Sequence, residues 1–211
     1  MTNFVPIFPL ALVVFPGEKL NLHIFEPRYK QLIRNCIEQQ KPLGIPTVLN
    51  NKVGEFGCLV EISSVSKEYE DGRMDIHTRG LKVFKILEVI REIPDKLYSG
   101  AIVSYVNNFE NGSAQMMRKI IADTRALHKA LNEKKEFGKA DELLNSFDIA
   151  HHTGMTIEDE YQLLQYENEL HRQEFIKRHL AKTLDVMAQM QELKKKIQLN
   201  GHFKELNGWD I

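Results

Sequence analysis

The hydrophobic period changes once along this chain, near Asn107–Gly112, and that change limits the fold more than any other feature. Before it, apolar residues alternate with polar ones, the two-residue period of a half-buried strand. Lys19 to Phe25 places Leu20, Leu22 and Ile24 on one face and Asn21, His23 and Phe25 on the other. Gly57–Ser66, Leu81–Ile90 and Tyr98–Val106 are further β-rich runs of strand length. Asp71-Gly72 falls between two such runs, a hairpin signal because a tight primed turn needs positive φ. Tyr29, Leu32, Ile33, Cys36 and Ile37 form one amphipathic helix within this half. After Gly112 the spacing becomes helical. Ser113 is the expected N-cap of a helix carrying Met117, Ile120, Ile121, Thr124, Leu127 and Leu131. Leu143, Leu144 and Phe147 mark a shorter helix, and Thr156 with Asp159 reads as the capping box of a third. The longest stripe runs Ile176, Leu180, Leu184, Met187, Met190, Leu193, Ile197, a mean step of about 3.5 residues that suits a bundle or coiled coil. Lys194–Lys196 complement its dipole, and Gly201 is expected to end it. The expected fold is α+β: a mostly antiparallel barrel or sandwich over 1–107, a helical subdomain over 108–200 and a tail over 201–211 that contains Trp209.

The bulk numbers exclude several classes. A composition of 43% hydrophobic and 27% charged residues is ordinary for a globular chain of 211 residues, long enough to bury a core without staples. The net charge of -1, with neither half polarised, offers no global attraction for nucleic acid or an anionic membrane. Two cysteines, Cys36 and Cys58, have no metal or redox spacing and read as small buried hydrophobes in a reducing compartment. The N-terminus lacks a basic region, and Pro6, Pro9 and Pro16 break its apolar run, so it reads as part of the fold rather than a signal peptide. A cytoplasmic location is the expectation.

Catalytic chemistry finds no foothold. There is no G-x-x-x-x-G-K-[ST] loop and no G-x-S-x-G elbow, and no serine has a serine–lysine protease context. His151-His152 reads as a polar turn, since adjacent side chains diverge and no further ligand lies at a metal spacing. His171 and His179 share a helix face two turns apart without meeting, and His23 falls in a strand, where a satisfied interior or rim position is expected. Glu68, Glu70 and Asp71 read as solvated hairpin residues. No catalytic, cofactor or metal residue is expected. The methionines of the helical half read chiefly as core, with a flexible binding groove as the alternative.

"FEPRY", Phe25 to Tyr29, reads as construction. Pro27 suits the first position of a helix, where a missing N–H loses nothing. Glu26 precedes it at the positive end of the dipole, and Arg28 opposes that dipole unless it reaches a carboxylate such as Glu26.

The stretch "FPLALVVFPGEKLNLHIFEPRYKQLI" resembles the N-terminal signature of the Lon substrate-binding domain family. Pro9, Leu10, Val14, Phe15, Pro16, Gly17, Leu20, Leu22, Ile24, Phe25, Glu26, Arg28 and Tyr29 match position by position. "GCLVEISSV", "DGRMDIHTRG" with Asp71, Gly72 and Gly80, "FKILEV" and "LYSGAIVSYV" resemble its later strands, so the match is specific over 4–107 and looser beyond. The resemblance implies a PUA-like pseudo-β-barrel of mostly antiparallel strands plus one helix, followed by an α-helical bundle with a long C-terminal helix. It implies a non-catalytic protein-binding module for unfolded or partly folded polypeptides, without the ATPase and protease modules of full-length Lon. It leaves open a separate protease or ATPase partner, and a structural or adaptor role with self-association through the last helix. RNA binding, known for PUA-like barrels, is disfavoured by the charge distribution. Phe8, Phe15, Met117 and Met190 are the candidate peptide-binding residues. Leu43–Gly57 departs from the pattern and reads as a trimmed polar loop.

Overall fold

A computed structural model describes the backbone of residues 2–205 and the side chains of residues 2–197. Six strands carry the first half: β1 (Thr2–Pro6), β2 (Lys19–Ile24), β3 (Leu43–Leu49), β4 (Lys52–Glu68), β5 (Met74–Ile90) and β6 (Gly100–Tyr105). They form an antiparallel sheet ordered β1-β6-β5-β4-β3, with β2 paired to β5. The two outer strands then meet. Ile7 bridges Gly44 and Leu10 bridges Thr47 in parallel fashion, so the sheet curls into a pseudo-barrel. The Asp71-Gly72 hairpin closes, but not through the expected primed turn: of the two residues only Gly72 has positive φ, 78°, and its N–H donates to the Tyr69 carbonyl at 2.8 Å, the type I turn with a glycine bulge of a three-residue loop.

The expected loop at Leu43–Gly57 is instead a hairpin of β3 and β4. Asn50 and Asn51 turn the chain with φ of 49° and 60°, the left-handed conformation a two-residue primed turn requires. Pro46 does not break β3, because it sits where the register with β4 shifts, between Pro46 and Val48, and its carbonyl still accepts from the Leu10 N–H at 3.2 Å.

Helix α1 (Pro27–Gln39) packs on the barrel core and buries Tyr29, Leu32, Ile33 and Cys36. Burial pushes the thiols of Cys36 and Cys58 up to about 11 and about 12, so both behave as inert apolar groups. Beyond β6 come α2 (Ala114–Ala130), α3 (Ser146–Ile149), α4 (Ile157–Leu164) and α5 (Glu169–Glu205). Ser113 caps α2 by accepting from the Met116 N–H at 3.2 Å, and Thr156 and Asp159 form the expected capping box of α4. The helix expected around Leu143–Phe147 splits into a 3-10 turn, Asp141–Leu143, and the four-residue α3. Asn145 separates them and caps α3 with Asp148. Helix α5 does not stop at Gly201 but continues to Glu205. One internal glycine costs only about 1 kcal/mol, too little to end so long a helix. Trp209 lies outside the described residues.

No described helix is long and apolar enough to cross a membrane. The largest core cluster is shared by both halves. Val13, Phe15 and Val83 from the barrel pack with Ile120, Leu127, Phe147, Leu163, Ile176 and Leu180 from the helices.

Candidate functional site

Two places concentrate interacting side chains: the seam between the halves and a cleft within the helical half. The seam is built from the signature residues. Gly17, at φ 85°, donates its N–H to the Gly80 carbonyl at 2.9 Å, and the Gly80 N–H donates to the Glu18 carbonyl at 2.8 Å. This turn presents the fully buried Phe15 ring to Phe147, centroids 5.3 Å apart. The Glu18 carboxylate accepts from the Phe15 N–H at 2.8 Å and faces His151 Nε2 at 3.3 Å. His151 Nδ1 lies 2.8 Å from Glu160 of α4. His151 is thus a clasp between barrel and helices, more than the polar turn its sequence suggests. Burial alone would lower its pKa, but the hydrogen bonds and charges of Glu160 and Glu18 prevail and raise it to about 10.

A sign follows for stability. The folded pKa of His151 exceeds its ordinary 6.5, so the clasp contributes fully below about pH 6.5 and loses its contribution as pH rises towards about 10. The advantage of wild type over His151→Gln, measured as the difference in Tm, is expected to shrink steadily across that window. A difference that stays constant would show that His151 is not charged.

"FEPRY" is held by local contacts, though not by all the expected ones. The Glu26 side chain does not cap α1. It binds Arg28, whose Nη2 lies 2.7 Å away, while the Glu26 carbonyl accepts from the N–H groups of Tyr29 and Lys30. The Arg28 guanidinium also sits 4.5 Å from the Tyr29 ring centre. Both charged groups are over a third exposed, so the pair contributes under about 1 kcal/mol. His23, expected at an interior or rim position, is exposed and pairs with Asp75.

The cleft has a volume of about 750 Å³ between α2, the Asp141–Asn145 segment and the start of α5. Its apolar lining includes Met117, Leu143, Leu144 and Phe147. Leu143 is 69% exposed, whereas Leu144 and Phe147 behind it are buried. The floor is a polar network. Glu169 accepts from the Ser146 N–H at 2.9 Å, the Ser146 hydroxyl at 2.5 Å and Gln173 Nε2 at 3.0 Å. Arg172 lies 3.0 Å from the same carboxylate and donates to the Tyr166 carbonyl and Asn108 Oδ1 at 2.6 and 2.7 Å. The guanidinium is 4.2 Å from the Phe147 ring centre. Burial pushes the Arg172 pKa below its usual range and Glu169 opposes the shift. These groups satisfy one another, so the network fixes the cleft's shape.

The four candidate peptide-binding residues are not brought together. Phe8 is buried against Tyr29 in the barrel core, with ring centres 4.1 Å apart, and Phe15 is sealed in the seam. Met117 lines the cleft but is only 6% exposed, and Met190 is 55% exposed on the distal part of α5. The reason is position: both follow β1, but Phe8 turns into the barrel core and Phe15 into the core shared with the helices. The residues that form the cleft were missed, although Glu169, Arg172 and Gln173 fall in phase with Ile176 and Leu180 on the buried stripe. Charge in phase with a core stripe is the available signal.

The family model for the ATP-dependent protease La (LON) substrate-binding domain matches residues 5–200. The chain is similar to the Lon N-terminal domain protein from Xanthomonas campestris, with a TM-score of 0.59 and 20% identity, covering 82% of this chain and 95% of that one. It is also similar to the N-terminal domain of Mycobacterium avium complex Lon protease, with a TM-score of 0.63 and 14% identity over 85% and 98% of the two chains. At these identities the likeness is one of fold. Chicken (Gallus gallus) protein cereblon is 29% identical over 90 residues, 40% of this chain, and the match spans 20% of cereblon's length.

Proposed function

Since the chain belongs to the LON substrate-binding domain family, we propose that it binds exposed apolar segments of other proteins without acting on them chemically. The observation that supports this reading is the cleft, in which exposed Leu143 stands before buried Leu144, Met117 and Phe147 over a rigid polar floor. An apolar side chain of a bound segment seats against these groups, and the polar rim tolerates varied flanking sequence. Leu143→Asp is expected to weaken binding of a permanently unfolded model polypeptide tenfold or more at unchanged Tm. Wild-type affinity in this variant would remove the cleft from the proposal. Peptide hydrolysis, assayed with and without ATP, is expected to be absent.

A second reading has its own observation. Val186, Met190, Leu193 and Ile197 are 46–61% exposed and spaced 4, 3 and 4 residues apart on α5. This is the spacing of a coiled-coil seam. Replacing Met190 and Leu193 together by glutamate is expected to convert an oligomer to a monomer in sedimentation velocity. A monomeric wild type would end the self-association reading.

A further inference from the structure

The pseudo-barrel has an open edge. The β4–β5 ladder begins at Phe56↔Lys85. Beyond that pair the strands part: β4 follows β3 through Val53↔Val48, and β5 follows β6 from Ile86↔Val103 to Ile90↔Gly100. Among the described residues no strand pairs with the β4-facing side of Ile86–Ile90. Backbone donors and acceptors there are left without a ladder partner. Natural edges are usually blunted by proline, lysine or inward charges. Here the stretch Ile86-Leu87-Glu88-Val89-Ile90 has a single charge, Glu88, and a single irregularity, a register shift against β6 between Ile86 and Glu88 beyond which Glu88–Ile90 pair regularly. The divergence also uncovers apolar side chains, with Val53, Leu87 and Val89 exposed by 45%, 54% and 41%.

A groove of about 440 Å³ lies between the parted strands, its charged lining being Glu88 and the Glu55–Lys85 pair, 3.4 Å apart. Through Val53 and Val89 it adjoins a depression of about 590 Å³ whose charged lining is wholly basic: Arg28, Lys52 and Arg91. Of these, Arg28 is neutralised by Glu26, and Lys52 and Arg91 form no ion pair among the described residues.

We propose that this edge accepts an extended polypeptide of alternating apolar and acidic residues, added as a strand along Ile86–Ile90. Backbone hydrogen bonds supply affinity that tolerates sequence, and alternate side chains supply preference. One face of the added strand covers Val53, Leu87 and Val89. A carboxylate is drawn to Lys52 and Arg91, while Glu88 repels acid from the middle of the edge. The inference takes its partner class from the protein-binding reading, but it uses no residue of the helical cleft.

The test uses the full chain and fluorescence anisotropy. The probes are a labelled nine-residue peptide alternating valine and aspartate, its valine–lysine counterpart, and the acidic peptide N-methylated on alternate amides in each register. The acidic peptide is expected to bind at least tenfold more tightly than the basic one. Methylation should abolish binding in one register and spare it in the other, because only alternate amides face the edge. Lys52→Glu with Arg91→Glu, both surface changes, should reverse the acid–base preference. Equal binding of the two peptides, or indifference to both methylation registers, overturns the proposal. The Leu143→Asp variant keeps the readings apart. Unchanged acidic-peptide binding in it supports a separate edge site, and lost binding refutes one. Should wild type bind the unfolded polypeptide but not the acidic peptide, the edge fails and the cleft stands.

Discussion

Gly80→Ala is expected to destabilise the protein by about 3 kcal/mol or more, among the largest effects of any single methyl addition. A Cβ at Gly80 would lie 2.1 Å from the Phe15 carbonyl oxygen and 3.0 Å from its carbon. Both are backbone atoms, so no side-chain rotation relieves the contact. Strand β5 must draw away from the Phe15–Glu18 turn, which breaks the reciprocal hydrogen bonds with Gly17 and Glu18. Phe15 then shifts from Phe147, and the damage crosses the seam into the helical half. Urea unfolding reads this as a lowered midpoint at little-changed slope. Gly138→Ala is the control, since nothing lies within 4 Å of a Cβ there and the change should stay within about 0.5 kcal/mol. A wild-type midpoint for Gly80→Ala would show that the seam yields.

The second large effect is expected at Glu169. Its carboxylate, nearly inaccessible, anchors Ser146, Gln173 and Arg172. Glu169→Ala leaves the Arg172 guanidinium buried with neutral acceptors alone. Breaking a buried pair in this way costs about 3–5 kcal/mol. Much of that loss is the penalty of a stranded charge. The double variant Glu169→Leu/Arg172→Met is therefore expected to be more stable than Glu169→Ala, recovering at least half of the loss in urea midpoint. If the double variant is the less stable, the ion pair itself holds the cleft together.

Local chemistry made part of this fold legible. Asp71-Gly72 can turn in few ways, Pro27 can open a helix but not continue one, and Ser113 and Thr156 bond their own first turns. Each signal acts within four residues, so tertiary packing has little room to override it. Leu43–Gly57 was misread because its polar residues look like a loop. Asn50 and Asn51 only make the turn, and the strands on either side of it are fixed by distant partners, β5 beside β4 and the bridges from Ile7 and Leu10 beside β3. The candidate site was less legible still. Phe8 and Phe15 have the residue type of a binding groove, but their burial is decided by α1, Phe147 and His151, which lie far away in sequence. The polar floor of the cleft joins Asn108, Ser146 and Arg172 from three separate segments, and no local spacing announces such a meeting.

The shared core also bears on how the chain is made. Val13 and Phe15 emerge from the ribosome roughly 160 residues before Ile176 and Leu180, which complete their burial. At synthesis rates of about 5–20 residues per second, that delay is on the order of ten seconds. The sheet can pair its strands in this interval, but Phe15 has no Phe147 to stack on and Glu18 no His151 to hold. The nascent protein thus displays an uncovered apolar face until α5 is made, and the order of translation leaves this seam open to non-native contacts for that time.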